Sequence, residues 1–538
     1  MSTHRKASIL DRDDESSQAG QIPTRVGRVK WKTSVLAFLL LIGCATCEAS
    51  FAGPATFKSG PCPSDQAKAL ASLNATCGTL TAPEKRSSST EREVQLPVAI
   101  VPSKTQPREP DPIVYMAGGP GANAIAQAQI LVDMGLNQKR DLIIMNQRGV
   151  AYTVPDLACP EIDRDYAEAL GLPLDSKAAE TKHVAATKAC HDRLVAAGVD
   201  LSAFNTSESS ADFADLRKAL KLEQWNVYGL SYGTELALSM VRDHPEGIRS
   251  LIIDAVLPPS AVSLGWVWTN ANEAINNVFR ACADQPACAA KYGDLSAQFT
   301  AAVQKLEANP LTMTVKVPGT ETSTKVVLDG GALANWIGSL PDPVVPLTSI
   351  PAAISALTRG QPTQIAEARA FAAHPSAIGA VGYGLMYGVI CSEWVPFEPA
   401  SQILTQGQLA FPAYPKSVLS QPIGLTFMTE DCAVWKVPRA PASVRQLTIS
   451  TIPSLVLNSS FDGKSAPQWG IYAASTLQNS TTVTVPGSGH GALFGIQMPP
   501  DAPAHACMQS IVASFLAKPA QPDTGCAASL TVPPFEIR

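Results

Sequence analysis

The chain has 538 residues, is 46% hydrophobic and 16% charged, and carries a net charge of −5 at pH 7. That composition is globular, and its mild acidity gives no electrostatic case for a nucleic-acid partner. The length exceeds what one compact core accommodates, so two domains, or one domain with a large insertion, are expected.

Residues 1–50 read as a signal or targeting segment. Arg25, Arg28, Lys30 and Lys32 precede an apolar run from Val35 to Cys47. The run is too short to span a bilayer comfortably and suits the core of a signal peptide. A membrane anchor is the competing reading. Leu41-Ile42-Gly43-Cys44 resembles a bacterial lipoprotein box, with Cys44 as the lipidated residue. The expected location is therefore outside a bacterial cytoplasm: periplasmic, secreted, or membrane-attached through this segment. Beyond it lie Cys62, Cys77, Cys159, Cys190, Cys282, Cys288, Cys391, Cys432, Cys507 and Cys526. Their spacings match no metal site, and an even set in an exported chain argues for disulfides. Sequence leaves the connectivity open. Pairing of sequential neighbours is the expectation, with buried free thiols as the alternative.

In chain order, residues 91–102 suggest an early strand. Asp111–Met116 is a short apolar strand running into Ala117-Gly118-Gly119-Pro120-Gly121, a turn that lets backbone amides approach a ligand. A second strand, 141–145, continues into Asn146-Gln147-Arg148-Gly149. Residues 176–198 are helical in pattern. Residues 209–222 form another expected helix, capped by Ser209 or Ser210, with Asp212 and Asp215 suiting its positive end. Strands follow at 225–228 and 251–256. Strands alternating with helices argue for an α/β fold with a mostly parallel sheet. From about 260 to 445 helices such as 268–283 and 296–308 alternate with Pro-rich stretches, and the strand pattern returns at 453–457 and 481–486. A last helix is expected at 503–517. The organisation read from this is a first core segment (51–260), a mainly helical cap (261–445) and a second core segment with a Cys-containing tail (446–538).

Gly229-Leu230-Ser231-Tyr232-Gly233 lies between a strand and a helix. This G-x-S-x-G context holds a serine on a tight turn with its hydroxyl exposed, and sets the Tyr232 amide at a helix N-terminus, where it can donate to an oxyanion. A serine needs a base, and the base an orienting acid. His490, in Gly487-Ser488-Gly489-His490-Gly491 after a strand, is the expected base, ahead of His505 in helical sequence. Asp462, after the 453–457 strand, is the expected acid. Asp254 is its rival, and is otherwise expected to hold loop amides. The amides of Gly118 and Gly119 complete the expected oxyanion site.

Gly118-Gly119-Pro120-Gly121, Asn146-Gln147-Arg148-Gly149, Gly229-Leu230-Ser231-Tyr232-Gly233-Thr234 and the late Asp462 and His490 together resemble the exported α/β-hydrolases of the tripeptidyl aminopeptidase and proline iminopeptidase group. The resemblance runs from about 75 to 530. It departs at Ala117, where the family usually has His, and at Asn146, where it usually has Asp. It implies an α/β-hydrolase fold, a serine exopeptidase or related carboxylesterase, a peptide or ester substrate, and no cofactor or metal. A free α-ammonium on that substrate calls for carboxylates in a water-poor pocket. Glu393 beside Cys391, then Glu430 and Asp431 beside Cys432, are the candidates, solvent-facing charge being the alternative. A binding protein with a lapsed active site is the reading from another class.

Overall fold

The computed structural model describes residues 54–88, 91–261, 263–340, 343–374, 381–495 and 503–538. The expected targeting segment, Cys44 included, lies outside them. A nine-stranded sheet organises the described residues. Its strands are β1 (Thr56–Gly60), β2 (Thr76–Pro83), β3 (Glu93–Val101), β4 (Ile113–Met116), β5 (Leu142–Met145), β6 (Trp225–Leu230), β7 (Ile248–Asp254), β10 (Ser454–Ser459) and β11 (Ser480–Val485), in the spatial order β1-β2-β3-β5-β4-β6-β7-β10-β11. The first four in that order pair antiparallel, and everything from β5 to β11 is parallel.

The central parallel strands β4, β5, β6 and β10 are buried along their whole length because helices cover both faces of the sheet there. Val114, Met116, Val227, Leu251 and Ile253 point into one core, while Ile113, Tyr115, Tyr228, Ile252, Leu455 and Leu457 point into the other. The chain leaves β4 sideways to form β5, then returns on the other side of β4 as β6. Such a reversal opens a crevice at the carboxyl ends of the two strands, where ligands of open α/β sheets bind. The Gly118–Gly121 turn and Ser231 both emerge there.

Between β7 and β10 the chain forms helices Trp266–Asp284, Leu295–Ala308, Gly330–Gly338, Thr363–Ala372 and Met428–Trp435, with an antiparallel hairpin of β8 (Leu311–Lys316) and β9 (Ser323–Leu328). The hairpin was not expected from sequence, although Leu-Thr-Met-Thr-Val-Lys and Ser-Thr-Lys-Val-Val-Leu flank a Pro-Gly turn, a legible hairpin signal. All five sequential cysteine pairs are disulfides: Cys62–Cys77, Cys159–Cys190, Cys282–Cys288, Cys391–Cys432 and Cys507–Cys526. Covalent bridges of this kind persist in oxidising compartments. The one metal-compatible grouping among the described residues, Cys159, Glu161 and Cys190, offers no thiolate because its cysteines are bridged. No described helix is long and apolar enough to cross a membrane.

The helix before β6 starts earlier than expected. It spans Thr206–Ala219, and Asn205, not Ser209 or Ser210, caps it by accepting from the Glu208 amide. Asp212 and Asp215 do not serve its N-terminus. Asp212 takes a bidentate bond from the fully buried Arg148, at 2.7 and 2.8 Å, and a further one from Arg86, which also binds Asp215. Arg148 follows β5, so this pairing fastens the loop after β5 to the helix that feeds β6.

Candidate active site

Ser231 sits where β6 becomes the helix Tyr232–Asp243, with φ 57° and ψ −127°. A non-glycine residue held at positive φ stores strain of about 1–3 kcal/mol, which surrounding packing must impose. Here β4 and β7 impose it. The Ser231 amide donates to Asp254 O at 3.0 Å, and Thr234 Oγ1 donates to Ser231 O at 2.6 Å. The flanking glycines are steric necessities. A methyl at 233 would lie 2.0 Å from Met116 O, and one at 229 would lie 2.4 Å from Gly233 O. The Gly118 turn is equally close, since a methyl there would meet Ser231 Cβ at 2.8 Å. The structure therefore brings Gly118, Gly119, Ser231 and the Tyr232 amide to one point at the sheet edge.

Asp462 and His490 meet across two separate loops. His490 Nδ1 lies 2.9 and 3.0 Å from the Asp462 carboxylate oxygens. Asp462 is fully buried and also accepts from the Lys464 and Ser465 amides and from Ser465 Oγ at 2.7 Å. Burial alone would raise its pKa. The His490 ring and the Ser465 donors outweigh burial and hold the carboxyl below its ordinary value. Ser465 Oγ lies 3.2 Å from His490 Nδ1 as well. Sequence reasoning missed Ser465, though an acid followed by a hydroxyl three residues on is a local turn signal.

The histidine loop is tied down from below. The buried Asp254 carboxylate accepts from the amides of Ala492, Leu493 and Phe494 at 2.7, 3.0 and 3.4 Å, and from Tyr228 Oη at 3.0 Å. This is the amide-holding arrangement expected of it, rather than contact with the imidazole. The Phe461 amide donates to Ser488 O at 2.9 Å, lacing the acid turn to the same loop. Gly491 packs on the residue before Ser231, since a methyl there would lie 3.2 Å from Leu230 Cδ1. Among the described residues no hydrogen bond joins Ser231 Oγ to His490 Nε2. Catalytic hydrogen bonds in unliganded sites are often long and tighten only with substrate.

The carboxylates expected to meet a substrate amine are dispersed. Glu393 is 2% exposed, and its Oε1 accepts from the Thr206 amide at 2.8 Å. Its charge acts on Glu235, four residues past the serine, whose Oε1 takes the Trp394 indole N–H at 3.2 Å. Burial raises both carboxyls well above the ordinary Glu value, and Glu393 raises Glu235 further. Trp394 is thus committed to this pair. Glu430 is half-buried, and Asp431 is buried against His183. Asn146 explains one departure from the family pattern. Its Oδ1 accepts from the Ile125 amide, while its Nδ2 donates to Ala151 O at 2.8 Å, a bond that a carboxylate could not make.

Comparison with known proteins agrees with this architecture. The family model described as alpha/beta hydrolase fold matches residues 111–279, and the one described as TAP-like protein matches 420–528. The chain is an α/β-hydrolase-fold protein. More particularly, its C-terminal part is TAP-like, and its relatives include a tripeptidyl aminopeptidase of Streptomyces coelicolor, 24% identical over 208 residues that make up 36% of this chain and 37% of that one. A probable proline iminopeptidase of the same organism is 23% identical over 145 residues, covering 27% of this chain and 32% of the relative. The chain thus spans about a third of the length of the curated relatives it matches. A solved proline iminopeptidase from Mycobacterium smegmatis aligns with 82% of this chain and 98% of its own, at 15% identity and a TM-score of 0.36.

Proposed function

We propose that the protein is an exported serine hydrolase, an aminopeptidase that releases short N-terminal peptides or residues through an acyl-enzyme. Ser231 Oγ attacks the scissile carbonyl carbon, and its proton passes to His490 Nε2. The carbonyl π electrons move onto oxygen, where the Tyr232 amide and the Gly118–Gly119 turn stabilise the charge. Collapse expels the amine, which takes the proton from His490. Water then attacks the ester carbonyl, His490 accepting its proton, and Ser231 is released. Asp462 stays ionised and holds the imidazole with Nδ1 protonated and Nε2 free.

The observation that carries this reading is the His490–Asp462 pair, held by Asp254 against the strand beside the one that presents Ser231. The names of the relatives favour peptides over esters, and the disulfides favour export. A fluorophosphonate probe should label the wild type and not Ser231→Ala. Chromogenic free-amino peptides, blocked peptides and short esters then separate aminopeptidase from carboxylesterase. Labelling that survives Ser231→Ala would overturn the reading, and preference for esters would move the substrate class.

A further inference from the structure

Ser465 lies three residues past Asp462, in the turn that leads into the helix Pro467–Ala474, and is fully buried. The ordinary use of a hydroxyl there is to cap the helix that follows. Ser465 is not so used, because Ala466 holds the cap position and makes no side-chain bond. Among the described residues the Ser465 hydroxyl bonds only to the Asp462–His490 pair. It donates to Asp462 Oδ2 at 2.7 Å, with its oxygen 3.2 Å from His490 Nδ1.

The two oxygens of Asp462 are supplied unequally. Oδ1 accepts from the backbone amides of Lys464 and Ser465, at 2.9 and 3.0 Å. Oδ2 accepts from Ser465 Oγ and the imidazole, with no amide among its partners. His490 Nδ1 stands almost midway, 3.0 Å from Oδ1 and 2.9 Å from Oδ2. The hydroxyl thus makes up the deficit at Oδ2 and keeps both oxygens facing one ring N–H. It also bears on the tautomer. A hydroxyl that has turned its proton toward a carboxylate can only accept from its other neighbours. Ser465 Oγ, so engaged, favours a proton on Nδ1 and leaves Nε2 free to act as base.

We propose that Ser465 is a positioning residue of this pair: its hydroxyl holds Asp462 Oδ2 toward the imidazole and the imidazole in its Nδ1-protonated tautomer. The proposal rests on the serine-hydrolase reading, since only there must Nε2 take a proton. Ser465 acts through Asp462 and His490, and its own proton stays on Oγ throughout.

The turn has braces that do not involve this hydroxyl. Asn277 Nδ2, from the helix Trp266–Asp284, donates to Ser460 O at 2.8 Å, and Asn270 Nδ2 of the same helix reaches Lys464 O at 3.4 Å. The Gly338 carbonyl packs on Gly463, where a methyl would lie 2.6 Å from its oxygen. Ser465→Ala leaves these contacts and both amide bonds to Oδ1 in place, and removes Oγ alone.

The test labels the full chain with a fluorophosphonate probe over a range of concentrations. This separates the limiting labelling rate of Ser231 from the probe concentration that gives half of it. In Ser465→Ala the limiting rate should fall about tenfold to a hundredfold, the effect of losing a hydrogen bond to a charged group. The half-saturating concentration should stay within about twofold. Ser465→Thr keeps the hydroxyl and should restore most of the rate. Ser465→Cys fills the same space with a weak donor and should remain slow with its melting temperature retained, which separates the lost hydrogen bond from lost packing. Wild-type rates in the Ala and Cys variants would overturn the proposal. So would a stable Thr variant as slow as Ser465→Ala, or a change confined to the half-saturating concentration. Each of these leaves Ser231 as the labelled residue and the catalytic reading intact, whereas labelling that survives Ser231→Ala removes that reading and this proposal with it.

Discussion

Two regions of the molecule bury carboxyl groups equally deeply and treat them in opposite ways. At the sheet edge Asp462 is fully buried, yet it is held ionised because backbone amides, a hydroxyl and an imidazole all point at it. Beside the helix that follows Ser231, Glu235 and Glu393 are each 2% exposed. They receive the Trp394 indole and the Thr206 amide, Glu235 Oε2 has no partner, and both are pushed toward the neutral form. Burial is common to both regions, so the supply of donors decides which carboxyl keeps its charge. An ionised acid steadies an imidazolium; a neutral carboxyl joins elements without demanding a counter-charge.

The largest test of that contrast is Asp462→Asn. It keeps the shape and removes the charge, and turnover should fall by about 10³–10⁴ with the fold intact. Near-normal turnover would return the acid role to Asp254. Asp254→Asn should cost less, about tenfold to a hundredfold in kcat, because it loosens the Ala492–Phe494 amides without touching the imidazole. KM should stay within about twofold, since no substrate contact is assigned to it. An equal loss in kcat and in thermal stability would mark Asp254 as merely structural.

The smallest effect is on stability against pH. The Glu235–Glu393 pair has raised folded pKa values, so the folded state holds protons that the unfolded chain releases above the ordinary Glu value of 4.5. Its contribution is therefore complete below that value and is lost as pH climbs through neutrality. Asp462, with a lowered pKa, behaves in the reverse sense, and its contribution fades as pH falls below 3.8. Melting temperature should decline from pH 5 to 8 in the wild type and decline less in Glu235→Gln, an effect of about 1 kcal/mol or less after the pair's mutual relief. An identical slope in the variant would remove the pair as its source.

Much of this contrast was legible before any coordinates. The glycines around Ser231 announce a crossing too tight for side chains, and the strand-loop positions of Asp462 and His490 follow from chain order. Asp254 as a holder of loop amides was readable from its place at a strand end. What sequence could not carry is the choice of long-range partner. Asp212 and Asp215 look like helix-terminus acids, yet Arg86 and Arg148 claim them from elsewhere in the chain. Glu393 looks like an available carboxylate beside a disulfide, but the Thr206 amide reaches it across 187 positions. The ring of His183, clamped between Asp165 of the preceding helix and Asp431 far along the chain, left no mark in spacing at all.

The threading of Asp254 into the histidine loop bears on how the chain becomes competent. Ser231 and its strained turn rest on strands finished by residue 254, but the Ala492–Phe494 amides that Asp254 binds lie 238 to 240 positions further along the chain. Until they dock, the Asp254 carboxylate lacks three of its donors at the sheet edge that presents Ser231. Without the segment that bears those amides, the same edge would lack the loop that carries His490.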